Sequence, residues 1–349
     1  MRTRNATQVA PAALLALTLA LTACADDPSG ERPAAERTPT PAATTSALDD
    51  RLEAELTIGD QPDWIVAGFG SVWVSRDEAG VIDRIDPETN EVASSIPVAK
   101  HPCNGLVAAF GSIWVPSCEE STVSRIDPDS EEVEAEIAVP KVYQSSGLVN
   151  ELAAGAGGIW MVTEGRNGVF DLLIRIDPRT ERVEGRIDLG HVGSGVAVSE
   201  DAVWVAAPDD DLVLKVDPRA GGVVEEISGL EAPNLLATGE GGVWVLSGVR
   251  SDRTPGDGSV TRLDPTSGEP VERIQIDDQG GQAADITVGD GMVWARTQFT
   301  LLAGIDPSTN TVVDRITDQK GLGGVAPGFG STWLSDFSYN RVWRVSAAS

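Results

Sequence analysis

Short apolar runs separated by tight polar turns dominate the chain from residue 52 onward. Residues 65–98 show the pattern in full. Ile65-Val66-Ala67 is apolar, and Gly68-Phe69-Gly70-Ser71 is a turn. Val72-Trp73-Val74-Ser75 is a second run, followed by a polar loop from Arg76 to Gly80. Val81 to Ile85 is a third run, and Asp86-Pro87-Glu88-Thr89-Asn90 is a second turn. Glu91 to Val98 is a fourth run with more polar positions. Pro and Asp/Asn stand where turn geometry favours them. Four short runs with tight turns predict one antiparallel four-stranded unit, its polar fourth strand outermost.

The unit repeats. Trp73, Trp114, Trp160, Trp204, Trp244, Trp294 and Trp333 occupy the same place in successive second runs, at spacings of 39 to 50 residues. A period near 40–45 with four strands per unit predicts the blades of a propeller. The tryptophans are expected as core, since each ring buries a large area. The glycines before them supply turns with positive φ and form no phosphate loop, because no helical pattern follows Gly155-Ala156-Gly157-Gly158. Asp-Pro turns recur at Asp127, Asp177, Asp217, Asp264 and Asp306, making six with Asp86, against seven tryptophan phrases. The last unit stops after its third run, Arg341 to Val345. Leu52 to Ile58 reads like the fourth strands Val133–Ile137 and Val183–Ile187. The predicted fold is therefore all-β, a seven-bladed β-propeller whose N-terminal strand completes the last blade and so removes an open sheet edge.

The first residues are organised differently. Arg2 and Arg4 precede an apolar run from Val9 to Ala23, shorter than the ~20 residues of a spanning helix. Residues 1–23 are expected to be a signal peptide. Cys24 follows Leu21-Thr22-Ala23 and is the expected lipidation site. Residues 24–50, rich in Pro, Ala and Thr, are expected as a disordered tether that cannot bury enough apolar surface to fold. The propeller is assigned to residues 51–349. The expected location is the outer face of the cell membrane, held by the lipid alone.

A formal net charge of −28 argues against nucleic acid, which requires a basic surface. It also argues against charge-driven docking on anionic lipid. Acids on exposed turns keep a rigid β body soluble, and a closed ring is expected to act as a monomer.

In a propeller, the loops from the fourth strand to the next first strand, and from the second to the third, surround one mouth of the central channel. Ligands bind there by analogy with the fold. Ten residues before each tryptophan stand Asp63, Asn104, Asn150, Ser194, Asn234, Ala284 and Gly323. Three residues after it stand Arg76, Ser117, Thr163, Ala207, Ser247, Thr297 and Asp336. The candidate binding residues at the mouth are Asp63, Arg76, Asn104, Asn150, Ser194, Asn234, Asp285, Arg296 and Asp336. Asp63 is expected to meet Arg76, and Asp285 to meet Arg296. These residues also read as ion pairs and strand-entry caps. Cys103 and Cys118 fall opposite one another when the second blade's hairpin is centred at Phe110-Gly111. They are expected to form a disulfide, which an exported protein permits and which contributes about 2–3 kcal/mol at most. Zinc spacing is absent, with His101 the nearest histidine. Asp209-Asp210-Asp211 and Asp257-Gly258 lack the spaced oxygens of a calcium loop and read as solvated turns. The long loops Glu164–Asp171 and Val249–Ser259 are candidate recognition elements, with Trp64, Phe337 and Tyr339 as possible aromatic surface.

The phrases Gly-Ser-Val-Trp-Val-Ser at residues 70–75, Val-Ile-Asp-Arg-Ile-Asp-Pro-Glu-Thr-Asn-Glu-Val at 81–92 and Val-Ser-Arg-Ile-Asp-Pro at 123–128 resemble those of the YncE-like (YVTN-repeat) bacterial propellers. They also resemble those of the related streptogramin B lyase-like propellers. The resemblance covers Leu52 to the end and implies the propeller fold. In the lyases it implies histidines at first-strand entries, glutamates after the tryptophan phrase and a magnesium ion. The matching positions here hold neither, and His101 and His191 fall elsewhere, so no catalytic residue is assigned. Asp63, Asn104, Asn150, Asn234 and Asp336 outline the acid and amide set that a lactonase-like metal site would need. The expected function is an extracytoplasmic, lipid-anchored module or scaffold binding a protein, peptide, glycan or small molecule. The alternative is a metal-dependent hydrolase or lyase. No cofactor is predicted, although a Mg or Ca cation in the channel is compatible with the sequence.

Overall fold

A computed structural model describes residues 43–98, 100–103, 105–142 and 151–346. Their architecture is a ring of seven antiparallel sheets, the seven-bladed β-propeller expected from the repeat. Blade one runs Pro62–Gly68, Ser71–Arg76, Val81–Asp86 and Glu91–Pro97, here called strands a to d from the channel outward. Strand b is buried along almost its whole length, and strand d is largely exposed. Leu52–Thr57 (β2) pairs with Arg341–Ser346 as strand d of blade seven. The closure predicted from Leu52–Ile58 is therefore present.

The repeated residues account for the repeated geometry. Each Asp of the six Asp-Pro turns accepts the backbone N–H two residues on, as in Glu88 N to Asp86 Oδ1 at 2.7 Å, and all but Asp306 also accept the N–H three residues on. These bonds favour the ionised carboxylate and hold Asp127, Asp177, Asp217, Asp264 and Asp306 below their usual range. At the a–b turns, Phe69-Gly70, Phe110-Gly111 and Phe329-Gly330 all have positive φ, as the two central residues of a type I′ hairpin require.

The seven tryptophans are at most 4% exposed. Trp73, Trp114, Trp160 and Trp244 donate Nε1–H to the carbonyl five residues earlier. In five blades a strand-c cation lies over the ring: Arg84, Arg125, Lys215, Arg262 and Arg344. The same cations reach the c–d turn of the next blade. Arg125 bonds Glu181 at 2.6 Å, Arg262 bonds Asn310 Oδ1 at 2.7 Å, and Arg344 bonds Asn90 Oδ1 at 3.0 Å. Arg84 pairs with Glu131, and Lys215 with the carbonyl of Thr266. Each stacked cation contributes about 0.5–1 kcal/mol and ties neighbouring blades together. Blade six has Gly304 opposite Trp294. The blade that follows it is the closure blade, which has no c–d turn to grip.

Before the closure strand, Thr44–Ser46 (β1) runs parallel to Thr311–Ile316, strand d of blade six. A short helical turn, Leu48–Arg51 (α1), follows. Leu48 is buried, and Arg51 forms a buried ion pair with Asp314 at 2.8 Å. The boundary drawn at residue 50 thus falls inside a segment ordered on the ring. Cys24 and the earlier tether residues lie outside the described residues. No helix among the described residues is long and apolar enough to cross a membrane.

Candidate functional site

The strand-a entries build one mouth of the channel, and bulges there decide which side chains face inward. In blade one Pro62 opposes Arg76 and Ile65 opposes Val74, so one extra residue is accommodated between them. The same shift falls between Pro233 and Leu235 in blade five, and between Ala283 and Asp285 in blade six. A bulge re-aims the side chains around it. Asn234, ten residues before its tryptophan, is fully buried, and its amide donates to the Val249 carbonyl at 3.1 Å. Ser194 is likewise fully buried. Asn104 and Asn150 lie outside the described residues.

The apolar position eight residues before the tryptophan lines the lumen in all seven blades, and the position nine before it in four. There stand Trp64, Gly105, Glu151 and Asp285, all lining a channel of about 490 Å³. Trp64 also lines a cavity of about 220 Å³ at the mouth, with Asp63, Asp77, Cys103 and Phe337. The other side chains of the channel wall are apolar apart from Thr238 and Thr287, while polar atoms, backbone included, make up more of its exposed surface than hydrocarbon does. Glycines at the equivalent position in the following blades let the inner strands approach closely beside the two acids. A methyl built on Gly195 would stand 2.5 Å from the Asn234 carbonyl oxygen and 3.3 Å from Glu151 Oε2, and one on Gly324 would stand 2.9 Å from Ile65 Cγ2 and 3.2 Å from Asp285 Oδ2.

The two acids are held differently. Asp285 accepts the N–H groups of Ile286 at 2.7 Å and Val325 at 2.6 Å. Burial nevertheless pushes its carboxyl up to about 6. Glu151 is 8% exposed and receives no hydrogen bond from the described residues. Burial, then the negative charge of Asp285, pushes its carboxyl well above the ordinary range. At the mouth, burial, Asp77 and Asp285 together push Asp63 up to about 7, against the opposing pull of Arg296.

Two expected contacts take other partners. Asp63 does not meet Arg76, because the bulge carries it past the register. Arg76 pairs with Asp83 at 2.8 Å and Asp60 at 3.0 Å instead. Asp285 does oppose Arg296 in register, but the two make no hydrogen bond. Fully buried Arg296 donates to the carbonyls of Leu301 at 2.8 Å, Gly324 at 2.6 Å and Ser335 at 2.8 Å. Burial lowers its pKa to about 10, while Asp336, Asp285 and Asp63 favour its charged form. Arg296 thus links blades six and seven behind the mouth. Asp336 is fully buried beside it, capping Tyr339 N at 2.7 Å.

Cys103 and Cys118 are bonded, with Cα atoms 5.9 Å apart, so the expected disulfide is present at the mouth. Asp209 and Asp211 brace the long loop of blade five, through Ser251 N at 2.7 Å and Arg250 at 2.6 Å. His101 pairs with Asp77 and Glu119, and His191 with Asp210 and Glu226. Neither histidine lines the channel. Among the described residues, no group of three His, Cys, Asp or Glu side chains is placed to hold a metal. Glu151 is the site residue that counting back from the tryptophans passes over. Its sequence signal is a lone acid entering the small apolar run Leu152-Ala153-Ala154, as Asp285 does before Ile286.

No protein-family model and no curated protein matches the chain. Solved structures do. A streptogramin B lyase structure superposes with a TM-score of 0.65 at 17% identity, covering 85% of this chain and 95% of its own. Selenomethionine-substituted virginiamycin B lyase from Staphylococcus aureus gives 0.66 at 18%, covering 84% and 99%. Hydrazine synthase from Kuenenia stuttgartiensis gives 0.66 at 14%, covering 83% and 96%. The shared feature is the propeller fold. At these identities activity does not transfer with it.

Proposed function

We propose that this protein is an extracytoplasmic, lipid-anchored binding module that takes a small ligand into the mouth of its propeller channel. Glu151 carries the reading. It is a carboxyl that lines the channel on a residue only 8% exposed, and no described side chain pairs with it. A ligand that offers it a hydrogen bond or a positive charge gains an interaction there. The channel's volume, about 490 Å³, lies in the range of small-molecule sites, ~300–1,000 Å³. Lipidation at Cys24 and a tether would hold the ring outside the membrane. The YncE-like resemblance fits such a module, since its motifs are turn and core residues.

A second reading, a metal-dependent hydrolase or lyase, draws on the mouth cavity, which Asp63 and Asp77 line together. Burial, then Asp77, pushes Asp63 up to about 7, in the range that suits a general base.

Native mass spectrometry of the protein extracted from its own membranes tests both. A one-to-one small-molecule adduct is the expected result. A divalent-metal adduct removed by EDTA, with loss of thermal stability, would favour the hydrolase. A bare protein unaffected by Mg²⁺, Ca²⁺ or EDTA would overturn the channel as a ligand site. Function would then move to the loops Glu164–Asp171 and Val249–Ser259.

A further inference from the structure

We propose that the channel binds a small organic ammonium ion, its cationic head between Glu151 and Asp285 and its apolar part along the inner strands. The inference rests on the channel being the ligand site and names the chemistry that site accepts.

Charge selects the head group. Glu151 from blade three and Asp285 from blade six line one lumen and interact electrostatically. Among the described residues, no Lys, Arg or His lines that lumen. Arg296 lies behind it and is bonded to three carbonyls. It offsets Asp285, Asp63 and Asp336 but does not figure among the influences on Glu151. The charged groups lining the mouth cavity, Asp63 and Asp77, are also acids, Asp77 being paired with His101. A cation that passes the mouth therefore meets, in Glu151, a carboxyl that no described side chain pairs with.

The wall selects what accompanies the charge. Leu106, Leu152, Val196, Leu236, Ile286 and Val325 line the same space. Ca²⁺ requires six to eight oxygen ligands, and Mg²⁺ requires an octahedral set that usually includes several waters. Two carboxyls fall short of either set, and among the described residues no group of three His, Cys, Asp or Glu side chains is placed to complete one. An alkylammonium is satisfied by a few acceptors and gains from burying its chain.

Proton traffic provides an independent readout. With no ligand, two buried carboxyls facing one lumen disfavour double ionisation, so a proton stays with the pair. An ammonium head replaces that proton. Binding should therefore release protons to the buffer near neutral pH, and affinity should fall as the pH is lowered.

Isothermal titration of the mature protein with hexylammonium, 1-hexanol and hexanoate, at pH 7 in two buffers of different ionisation enthalpy, tests this. Hexylammonium should bind at least about tenfold more tightly than hexanol, with proton release, and hexanoate should bind most weakly. Glu151→Gln should remove the tenfold preference of hexylammonium over hexanol, both measured on the variant, together with the proton release. Equal binding of hexylammonium and hexanol to the wild type would overturn the ammonium assignment and leave the channel as a neutral-ligand site. A preference retained in Glu151→Gln would also overturn the assignment. Failure of all three probes to bind would overturn it together with the channel reading. Calcium binding that Glu151→Gln abolishes would replace the ammonium with an inorganic cation.

Discussion

Asp63 illustrates how a single residue records its surroundings. It is half-buried at the mouth, where burial, Asp77 and Asp285 push its carboxyl up to about 7 from 3.8. The unfolded chain gives up this proton near pH 4 and the folded chain near pH 7. Between those values the native state binds more protons, so stability falls as pH rises through the window. Asp285 and Glu151 act with the same sign. Below about pH 4 the turn aspartates reverse it, since their lowered values make them protonate late and at a cost. Asp63→Asn removes a charge that makes no side-chain hydrogen bond in the described structure. It should raise stability at pH 8 by about 1–2 kcal/mol, after allowance for water at the mouth. It should also flatten the profile between pH 4 and 7. Thermal melts across that range check both, and a variant with an unchanged slope would assign the effect to Glu151 and Asp285 alone. Residue-scale legibility follows the same logic. Asp63, Asp285 and Arg296 were visible because they sit at fixed distances from the tryptophan repeat. Which of them faces the lumen was not, because a bulge adds one residue without leaving a mark in the apolar pattern.

At the scale of the element, the closure strand was legible and the strap before it was not. Leu52–Thr57 carries the alternation of every other strand d, so the pattern placed it. Thr44–Ser46 is polar, lies in a Pro-rich stretch and pairs with a strand from another blade, so nothing local marks it. Arg51 fastens the strap. Its guanidinium is bidentate on Asp314, with contacts at 2.8 and 3.1 Å, and it also bonds the carbonyl of Ser346. Both charged side chains are buried, at 8% and 1% exposure. Removing one partner of such a pair strands the other and costs about 3–5 kcal/mol. Arg51→Met should therefore destabilise the ring by that amount, and adding Asp314→Asn should restore most of it. Urea unfolding of the two single variants and the double variant provides the cycle. Additive losses would mean that the strap contributes through Leu48 and β1 rather than through this pair. The strand-c cations show the same partial legibility. Arg-Ile-Asp-Pro was read for its turn, whereas the arginine's reach into the next blade depends on two units meeting in space.

At the scale of the whole molecule, a closed ring with a net charge of −28 has no electrostatic reason to approach an anionic membrane. Self-repulsion keeps it soluble, and anionic lipid repels it further. Any residence at a membrane must then come from the other end of the chain. The proposed anchor at Cys24 makes this testable, because a lipid-held protein and a charge-held protein respond oppositely to salt. Salt at about 1 M shortens the Debye length to about 3 Å and releases charge-held proteins, whereas buried acyl chains are held more firmly under the same conditions. The wild-type protein should remain in the membrane fraction through a high-salt wash and should incorporate labelled fatty acid. Cys24→Ser should lose the label and move at least tenfold in favour of the soluble fraction, while the ring keeps the wild-type melting temperature. Release of the wild type by salt, or retention of the serine variant after washing, would exclude the anchor. The propeller would then have to be held by a partner bound to one of its faces, and the channel mouth and the long loops beside it would be the first surfaces to test.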